Sequence, residues 1–282
     1  MEIRTKIDMV VLTAKNFHEE LLPYAEIPGF KAVKKLPDKV PDDNDGSNYK
    51  AKYLYKNGST MMAVYFMRKT KWVSPLYIIF WSDYHHEISL SAVKAVENFL
   101  RDKCGYEMRV SKVDVATDLI FTDYDAFPKV IRTFKPGRKR KPTKEYESSV
   151  YFGTRKSPVS LIVYDKTKQL AEEKGVYIDK NVVRVEVRLN IPKCKNFIQT
   201  VDDLAEHNWL WLCDKHFSFH LKKPSFREKL LDMGVEPSQP IWKLRDIMSG
   251  VGKWPSNFYR DCLYNHPKEL FVRSALASYR WN

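Results

Sequence analysis

Two segments of the chain alternate apolar and polar side chains over the length of a strand. Residues 112–119 read KVDVATDL and residues 183–189 read VRVEVRL. Because side chains point alternately to the two faces of a β-strand, each segment predicts a strand with one apolar and one charged face. The apolar faces indicate the core side of a sheet. The charged faces are either simply solvated or line one shared groove.

The segment from Tyr151 to Lys166 predicts two strands followed by a helix. Gly153 can adopt backbone angles that are closed to other residues, so we expect the first strand to end or turn there. The second strand is expected at 159–164, and Asp165 is a suitable N-cap for the helix that follows. Tyr164 is therefore expected at a strand-to-helix junction, which is a suitable position for a nucleophile.

The rest of the first 200 residues indicates antiparallel strands interrupted by a few helices. Asn57-Gly58 between two alternating segments is a strong hairpin signal. Residues 89–104 have the pattern of an amphipathic helix, with Gly105 just past its end. Further strands are expected at 7–13, 76–81 and 109–121. The predicted fold class is α+β, an antiparallel sheet with helices on one face.

The composition favours a globular protein with a polyanionic partner. A chain of 282 residues, 44% of them hydrophobic, can bury roughly three quarters of its unfolded surface. Its 48 Lys and Arg against 35 Asp and Glu give a net charge of +13, which favours nucleic acid. The alternative is a basic protein with no nucleic-acid role. With no apolar run long enough for a bilayer and no secretory signal pattern, we expect a cytoplasmic protein without a membrane partner.

The cysteines and histidines give no metal or disulfide motif. The four cysteines are far apart and form no CxxC pair, so reduced thiols are expected. His85 and His86 are adjacent, and neighbouring residues of a strand point to opposite faces. We expect this pair in a loop before a helix rather than as metal ligands.

Three motifs together resemble those of the replication initiation factor (Rep_trans-type) family. They are YFGTRKS followed by VYDK within 151–166, VSKVDVATD at 110–118 and VRVEVRL at 183–189. The family comprises rolling-circle replication initiators of plasmids and phages and related conjugative relaxases. The motifs come in the family's order and span about half of the chain. The resemblance implies a degenerate HUH-endonuclease-like fold.

The resemblance also implies an activity and a nucleophile. The chain is expected to nick and rejoin one DNA strand at an origin through a 5′-phosphotyrosine intermediate formed by Tyr164. A phenol with a pKa of about 10 needs help to ionise near neutral pH. Lys166, a nearby metal and the N-terminus of the following helix are each expected to lower that pKa. Tyr151 is the reserve candidate.

A divalent metal, Mg²⁺ or Mn²⁺, is implied as the cofactor, and carboxylates are suitable ligands for it. Asp114 and Glu186, on neighbouring strands, are the candidates to share the ion. The resemblance also implies Asp118 as a third candidate for the metal site, without assigning it a role. A regular strand places it roughly 13 Å from Asp114, too far for both to touch one ion.

Two sets of cationic residues are candidates for binding DNA. Arg155 and Arg184 suit the bidentate recognition of a phosphate, although either is equally expected as a structural ion-pair partner. Residues 129–144 hold eight Lys or Arg and no acid, with Pro and Gly that argue against a helix. We expect this basic arm to neutralise phosphates, a solvated loop being the alternative. Its central residues are Arg138, Lys139, Arg140 and Lys141.

Four positions depart from the usual family pattern. Ile162 stands where a basic residue is common, Gln169 where an acid is common and Lys112 where arginine is frequent. Arg188 stands in place of a second acid. These departures bear on the number of metal ligands and on the phosphate contacts, and they leave Tyr164, Lys166, Asp114 and Glu186 in place.

After about residue 200 the strand signals fade and four short helices are predicted, at 201–215, 225–233, 240–248 and 267–279. We expect a catalytic nicking domain at 1–199 and a helical C-terminal region at 200–282, whose tryptophans pack rather than stack on bases. The predicted function is a rolling-circle replication initiator acting on single-stranded or origin DNA. A host helicase, a polymerase and a second copy of the chain are candidate partners. The alternatives are a conjugative relaxase and a non-catalytic DNA-binding replication protein.

Overall fold

The protein is described by a computed structural model. The described residues are 2–14, 27–33, 48–70, 74, 76–121, 134–136, 142–194, 198–240, 243–244, 247, 263–265 and 269–282. Arg138, Lys139, Arg140 and Lys141 of the predicted basic arm lie outside them. So does most of the helix predicted at 240–248.

A large antiparallel sheet of ten strands organises the described part of the chain. Its strands are β1 (Glu2–Ala14), β2 (Lys31–Val33), β3 (Tyr49–Asn57), β4 (Thr60–Arg68), β5 (Leu76–Ser82), β6 (Met108–Phe121), β8 (Lys144–Glu145), β9 (Ser149–Phe152), β10 (Val159–Asp165) and β11 (Asn181–Asn190). Across the sheet they follow the order β2-β3-β4-β5-β1-β6-β11-β10-β9-β8. The central strands β1, β6, β11 and β10 are therefore neighbours, although they come from distant parts of the sequence.

Several helices cover the sheet or follow its strands. They are α1 (Leu90–Cys104), α2 (Lys166–Lys174), α3 (Val201–Glu206), α4 (Trp211–Lys215), α5 (Pro224–Asp232) and α6 (Glu269–Ser278), with a 3₁₀ turn at Ile191–Lys193. Ser89 caps α1 by accepting a hydrogen bond from the Ala92 amide, and Gly105 ends it with φ of 67°. This helix begins one residue after the predicted start and ends at the predicted Cys104, because both of its ends carry local capping signals.

The main core lies on one face of the sheet, as the alternating segments predict. Val113 pairs with Leu189 and Val115 with Val187, and all four belong to one buried cluster. Helices α1, α3, α4 and α6 contribute side chains to the same cluster. The predicted α+β class, an antiparallel sheet with helices packed on one face, is confirmed.

The region after residue 200 contains strands as well as helices. Strands β7 (Phe134–Pro136), β12 (Phe217–Lys222) and β13 (Leu263–Asn265) form a second antiparallel sheet. Trp209 and Trp281 are fully buried in the main core, so this region packs against the large sheet. The proposed division at residue 200 stays a prediction. None of the helices in the described ranges has the length and apolar character needed to cross a membrane.

Candidate functional site

The charged sides of β6 and β11 lie next to each other on the face opposite the main core. The strand register places Arg184 beside Asp118 and Arg188 beside Asp114. Glu186, between the two arginines, is buried, as are Asp114, Asp118 and Arg184. This charged face is therefore not simply solvated, and its side chains must find partners among themselves.

Tyr164 lies at the predicted junction between β10 and α2. The Asp165 side chain caps α2 by accepting a hydrogen bond from the Lys168 amide at 2.9 Å, and Gly175 ends the helix with φ of 63°. Tyr164 pairs across the sheet with Arg184 and is 8% exposed. Its hydroxyl donates a hydrogen bond to Oε2 of Glu186 at 3.1 Å.

Gly153 and Arg155 lie in the turn that joins β9 to β10. Gly153 has φ of 87°, which confirms the predicted turn, and an added Cβ would lie 3.3 Å from the carbonyl oxygen of Val159. Arg155 is exposed in this turn. Val159 and Tyr164 are five residue steps apart along β10, which is roughly 16 Å. The structure therefore does not bring Arg155 to the tyrosine.

Arg184 is held in a buried network of ion pairs. Its Nε and Nη2 donate to the two carboxylate oxygens of Asp118 at 2.5 and 2.8 Å, and its Nη1 donates to Asp8 at 3.0 Å. The side chain is 1% exposed. All three guanidinium nitrogens have protein partners, so the geometry favours the structural role of Arg184 over phosphate binding. Asp118 has the matching structural role.

Asp8 was missed as a site residue in the sequence. The register between β1 and β6 shifts between Ile7 and Met9, so Asp8 is the extra residue of a β-bulge. The bulge directs its carboxylate to Arg184 at 3.0 Å and to Lys6 at 3.2 Å. These two cations hold the pKa of Asp8 below its usual value although burial acts in the opposite sense. The available signal was the alternation of charged residues in the first half of β1, at Glu2, Arg4, Lys6 and Asp8.

Arg188 contacts both of the carboxylates predicted to share a metal. Its Nε donates to Glu186 Oε1 at 2.6 Å and lies 3.4 Å from Asp114 Oδ2. That Asp114 and Glu186 share a divalent metal ion stays a prediction. The cation between them in this structure is the guanidinium of Arg188.

Lys166 is buried beside two tyrosine rings. Its Nζ donates to Gln169 Oε1 at 2.8 Å and lies 5.6 Å from the ring centroid of Tyr164 and 5.9 Å from that of Tyr84. Burial lowers the pKa of Lys166 to about 8, and the nearby Arg184 contributes to this shift. The lysine is thus suited to exchange a proton near neutral pH.

The surroundings of Tyr164 do not lower its pKa as the sequence suggested. Burial raises the pKa of Tyr164 well above its usual value, and the charge of Glu186 raises it further. The charge of Arg184 lowers the pKa of Tyr164, but this effect is smaller than either of the other two. A base in contact with the hydroxyl is therefore needed for Tyr164 to act as a nucleophile, and Glu186 is in contact with it.

A cavity of about 280 Å³ opens onto these side chains. Tyr151 and residues of α2 line it together with the candidate site residues Asp8, Asp114, Tyr164, Lys166, Glu186 and Arg188. The ring of Tyr151 packs edge-to-face against exposed Tyr146, with the centroids 5.9 Å apart. The cavity thus brings the tyrosine, its carboxylate partner and two cationic groups into one accessible space.

The donors present do not fit a divalent metal in this arrangement. Within the described ranges, no group of three or more His, Cys, Asp or Glu residues could hold an ion. Asp118 is paired with Arg184, and Asp114 and Glu186 share Arg188.

His86 pairs with Asp83 at 2.6 Å in the turn before α1, where the sequence places it.

Comparison with known proteins identifies no family for the chain. No protein-family model matches it, and no curated protein matches it. One similar solved structure is a rolling circle replication initiator protein from Geobacillus stearothermophilus, with a TM-score of 0.47 and 15% identity over 100% of this chain and 99% of that one. Another is Methanococcus jannaschii TBP, with a TM-score of 0.25 and 10% identity over 65% of this chain and 86% of that one. Likenesses this distant carry no argument about function.

Proposed function

We propose that this chain is a rolling-circle replication initiator that nicks and rejoins one strand of origin DNA, with Tyr164 as the nucleophile. The observation that carries the proposal is the hydrogen bond from the Tyr164 hydroxyl to Glu186 at the edge of an open cavity. The three motifs of the sequence support it independently. The net charge of +13 suits a DNA substrate.

The proposed step is a transesterification at one phosphodiester. The Tyr164 oxygen attacks phosphorus, and a new bond joins the tyrosine to the 5′ phosphate. The bond from phosphorus to the 3′ oxygen breaks, and that oxygen takes up a proton to become a free 3′ hydroxyl. The phenolic proton passes to Glu186 Oε2, the atom that accepts its hydrogen bond. Attack by a 3′ hydroxyl on the phosphotyrosine reverses these steps and rejoins the strand.

Lys166 has two proposed roles at this site. Its charged form attracts the phosphate to the cavity, and with a pKa of about 8 it can also give a proton to the leaving 3′ oxygen. Its position one residue into α2 is fixed by the Asp165 cap.

Dependence on Mg²⁺ or Mn²⁺ stays a prediction of the resemblance. Because Asp114, Glu186 and Asp118 are engaged by arginines, no step of the proposed reaction is assigned to a metal. The basic arm around 138–141 lies outside the described residues, and its contact with DNA phosphates is likewise proposed from its charge. A host helicase, a polymerase and a second subunit stay candidate partners.

A second candidate function is a non-catalytic DNA-binding replication protein. The observation that favours it is the burial of Tyr164, which is 8% exposed and has a raised pKa. The two functions differ in one product. Incubation with a single-stranded origin oligonucleotide gives a covalent adduct that survives denaturation if the chain is a nickase. Binding without any adduct supports the second candidate.

A further inference from the structure

The guanidinium of Arg188 lies where a shared metal ion was predicted. Its Nε is 2.6 Å from Glu186 Oε1 and 3.4 Å from Asp114 Oδ2. Two oxygens that contact one nitrogen at these distances are at most 6.0 Å apart, the sum of the two. The two carboxylates thus converge on a single cation, and the chain itself supplies that cation.

The side chain of Arg188 is accessible to a ligand. It lines the cavity and is 31% exposed. The hydrogen bond that it donates to Glu186 comes from Nε and not from its Nη atoms. A guanidinium presents these two nitrogens as a planar fork that matches two oxygens of a phosphate.

The side chains of the charged cluster next to Tyr164 balance one another's charge, while Asp165, Glu172, Glu173 and Lys174 also line the cavity. Four carboxylates and four cationic side chains form the charged cluster, so its formal net charge is zero when all are ionised. Its members are Asp8, Asp114, Asp118, Glu186, Lys6, Lys166, Arg184 and Arg188. A divalent ion added to this cluster would have to displace a buried ion pair, which is costly.

We propose that Arg188 takes the place of the divalent cation in this protein. It holds Asp114 and Glu186 together and offers its Nη fork to two oxygens of the scissile phosphate, so that cleavage proceeds without a bound metal. The phosphate contact rests on the proposed nickase function. The replacement of the metal ion by the guanidinium does not rest on the nickase function, because it follows from the ion pairs of Arg188 within the protein.

If the guanidinium of Arg188 replaces a metal ion, removing it should change how the site binds metal. Arg188→Gln leaves two carboxylates within 6.0 Å of each other without their shared cation. Like charges this close in a partly buried site attract a counter-ion, and carboxylates are suitable ligands for Mn²⁺. Arg188→Gln is therefore expected to gain a metal site that the wild type lacks.

The test is a titration with Mn²⁺ alone, followed by the electron paramagnetic resonance of free Mn²⁺ and without DNA. Arg188→Gln is expected to show saturable binding that is absent from wild type and from Arg188→Lys, which keeps the charge. Adding Asp114→Asn to Arg188→Gln should abolish that binding. Arg101→Gln is the matched control, since Arg101 is exposed on α1 and lies outside the charged cluster.

A second arm measures covalent adduct formation in EDTA. Wild type is expected to form the adduct in EDTA, whereas Arg188→Gln should form it only after Mn²⁺ is added. The first of these results needs only wild-type protein. Circular dichroism checks the fold of the variant, and the wild-type result tests the proposal even if the variant misfolds.

Two results would overturn the proposal. One is adduct formation by wild type that requires Mn²⁺ and is abolished by EDTA. That result would contradict the role of Arg188 but would still support the nickase function. The other is equal Mn²⁺ binding by wild type and Arg188→Gln. If no protein forms an adduct under any condition, the proposed function fails, and the Mn²⁺ titration still decides the role of Arg188.

Discussion

The hydroxyl of Tyr164 donates a hydrogen bond across 3.1 Å to Oε2 of Glu186, whose Oε1 accepts one from Arg188 at 2.6 Å. One carboxylate thus links the candidate nucleophile to a cation at the cavity. Because burial raises the pKa of Tyr164, this carboxylate is the group that can accept its proton. In the proposed reaction, attack by Tyr164 depends on this chain of two hydrogen bonds.

Glu186→Gln is expected to lose cleavage while keeping DNA binding. The amide has nearly the same shape but cannot accept the proton as a base, a role that contributes roughly 10²- to 10⁴-fold to rate. Loss of one negative charge should leave affinity for DNA unchanged or improved. Adduct yield and gel shift on the same oligonucleotide measure the two effects. Nicking at the wild-type rate by this variant would rule out Glu186 as the base.

The lowered pKa of Lys166 predicts that the free energy of unfolding rises with pH. Its pKa is about 8 in the folded protein against its ordinary value of 10.5, so above pH 8 the unfolded chain binds more protons. The free energy of unfolding of wild type, relative to Lys166→Met, should therefore increase by about 2 kcal/mol between pH 7 and pH 10. Urea unfolding at several pH values measures this difference. A difference that does not vary with pH would contradict the lowered pKa.

Asp118→Asn is expected to destabilise the fold, because it leaves the buried Arg184 without its bidentate partner. Breaking a buried ion pair in this way costs about 3 to 5 kcal/mol. Glu2→Gln is the control, since it removes the shared member of exposed ion pairs with Arg4 and Lys180 and should cost far less than the loss of the buried pair. A stable Asp118→Asn that has lost adduct formation would instead indicate a direct role in the reaction.

Replacing the centre of the basic arm by alanine is expected to flatten the dependence of log affinity on log salt concentration. Each phosphate that the arm no longer neutralises should reduce the slope by about 0.9 on duplex DNA or about 0.7 on a single strand. One DNA of fixed sequence and length is used throughout, and the variant Arg101→Ala, Lys103→Ala shows the effect of removing two cations from α1 instead. An unchanged slope would mean that the arm does not touch DNA. The residues replaced are Arg138, Lys139, Arg140 and Lys141.

The parts of the fold that could be predicted from the sequence depend on local signals. The Asp165 cap, the Gly175 stop and the positive φ of Gly153 are properties of one residue and its neighbours. The apolar alternation of β6 and β11 correctly gave the face of the sheet that meets the core. Tyr164 was therefore placed at its junction without knowledge of the rest of the chain.

The partners of the charged residues could not be predicted in the same way. Arg184 meets Asp8 across 176 positions of sequence, and this contact depends on a bulge that shifts the register of β1. The ion pairs of Arg188 likewise follow from the alignment of β11 with β6. Strand β12 was missed although Phe217–Lys222 alternates apolar and polar side chains, because the segment is only six residues long and follows a helical pattern directly. Strands β7 and β13 on either side of it complete the small sheet.

The most direct test compares wild type with Tyr164→Phe on a single-stranded origin oligonucleotide, with Mn²⁺ and with EDTA. The substitution removes only the hydroxyl that contacts Glu186, so the fold and the gel shift should be retained. Wild type should give a denaturation-resistant adduct at Tyr164 and a fragment with a free 3′ hydroxyl, and the variant should give neither. An adduct formed normally by Tyr164→Phe would make Tyr164 a packing residue and Tyr151 the next candidate. Wild type that binds the origin but never forms an adduct would contradict the nickase function itself.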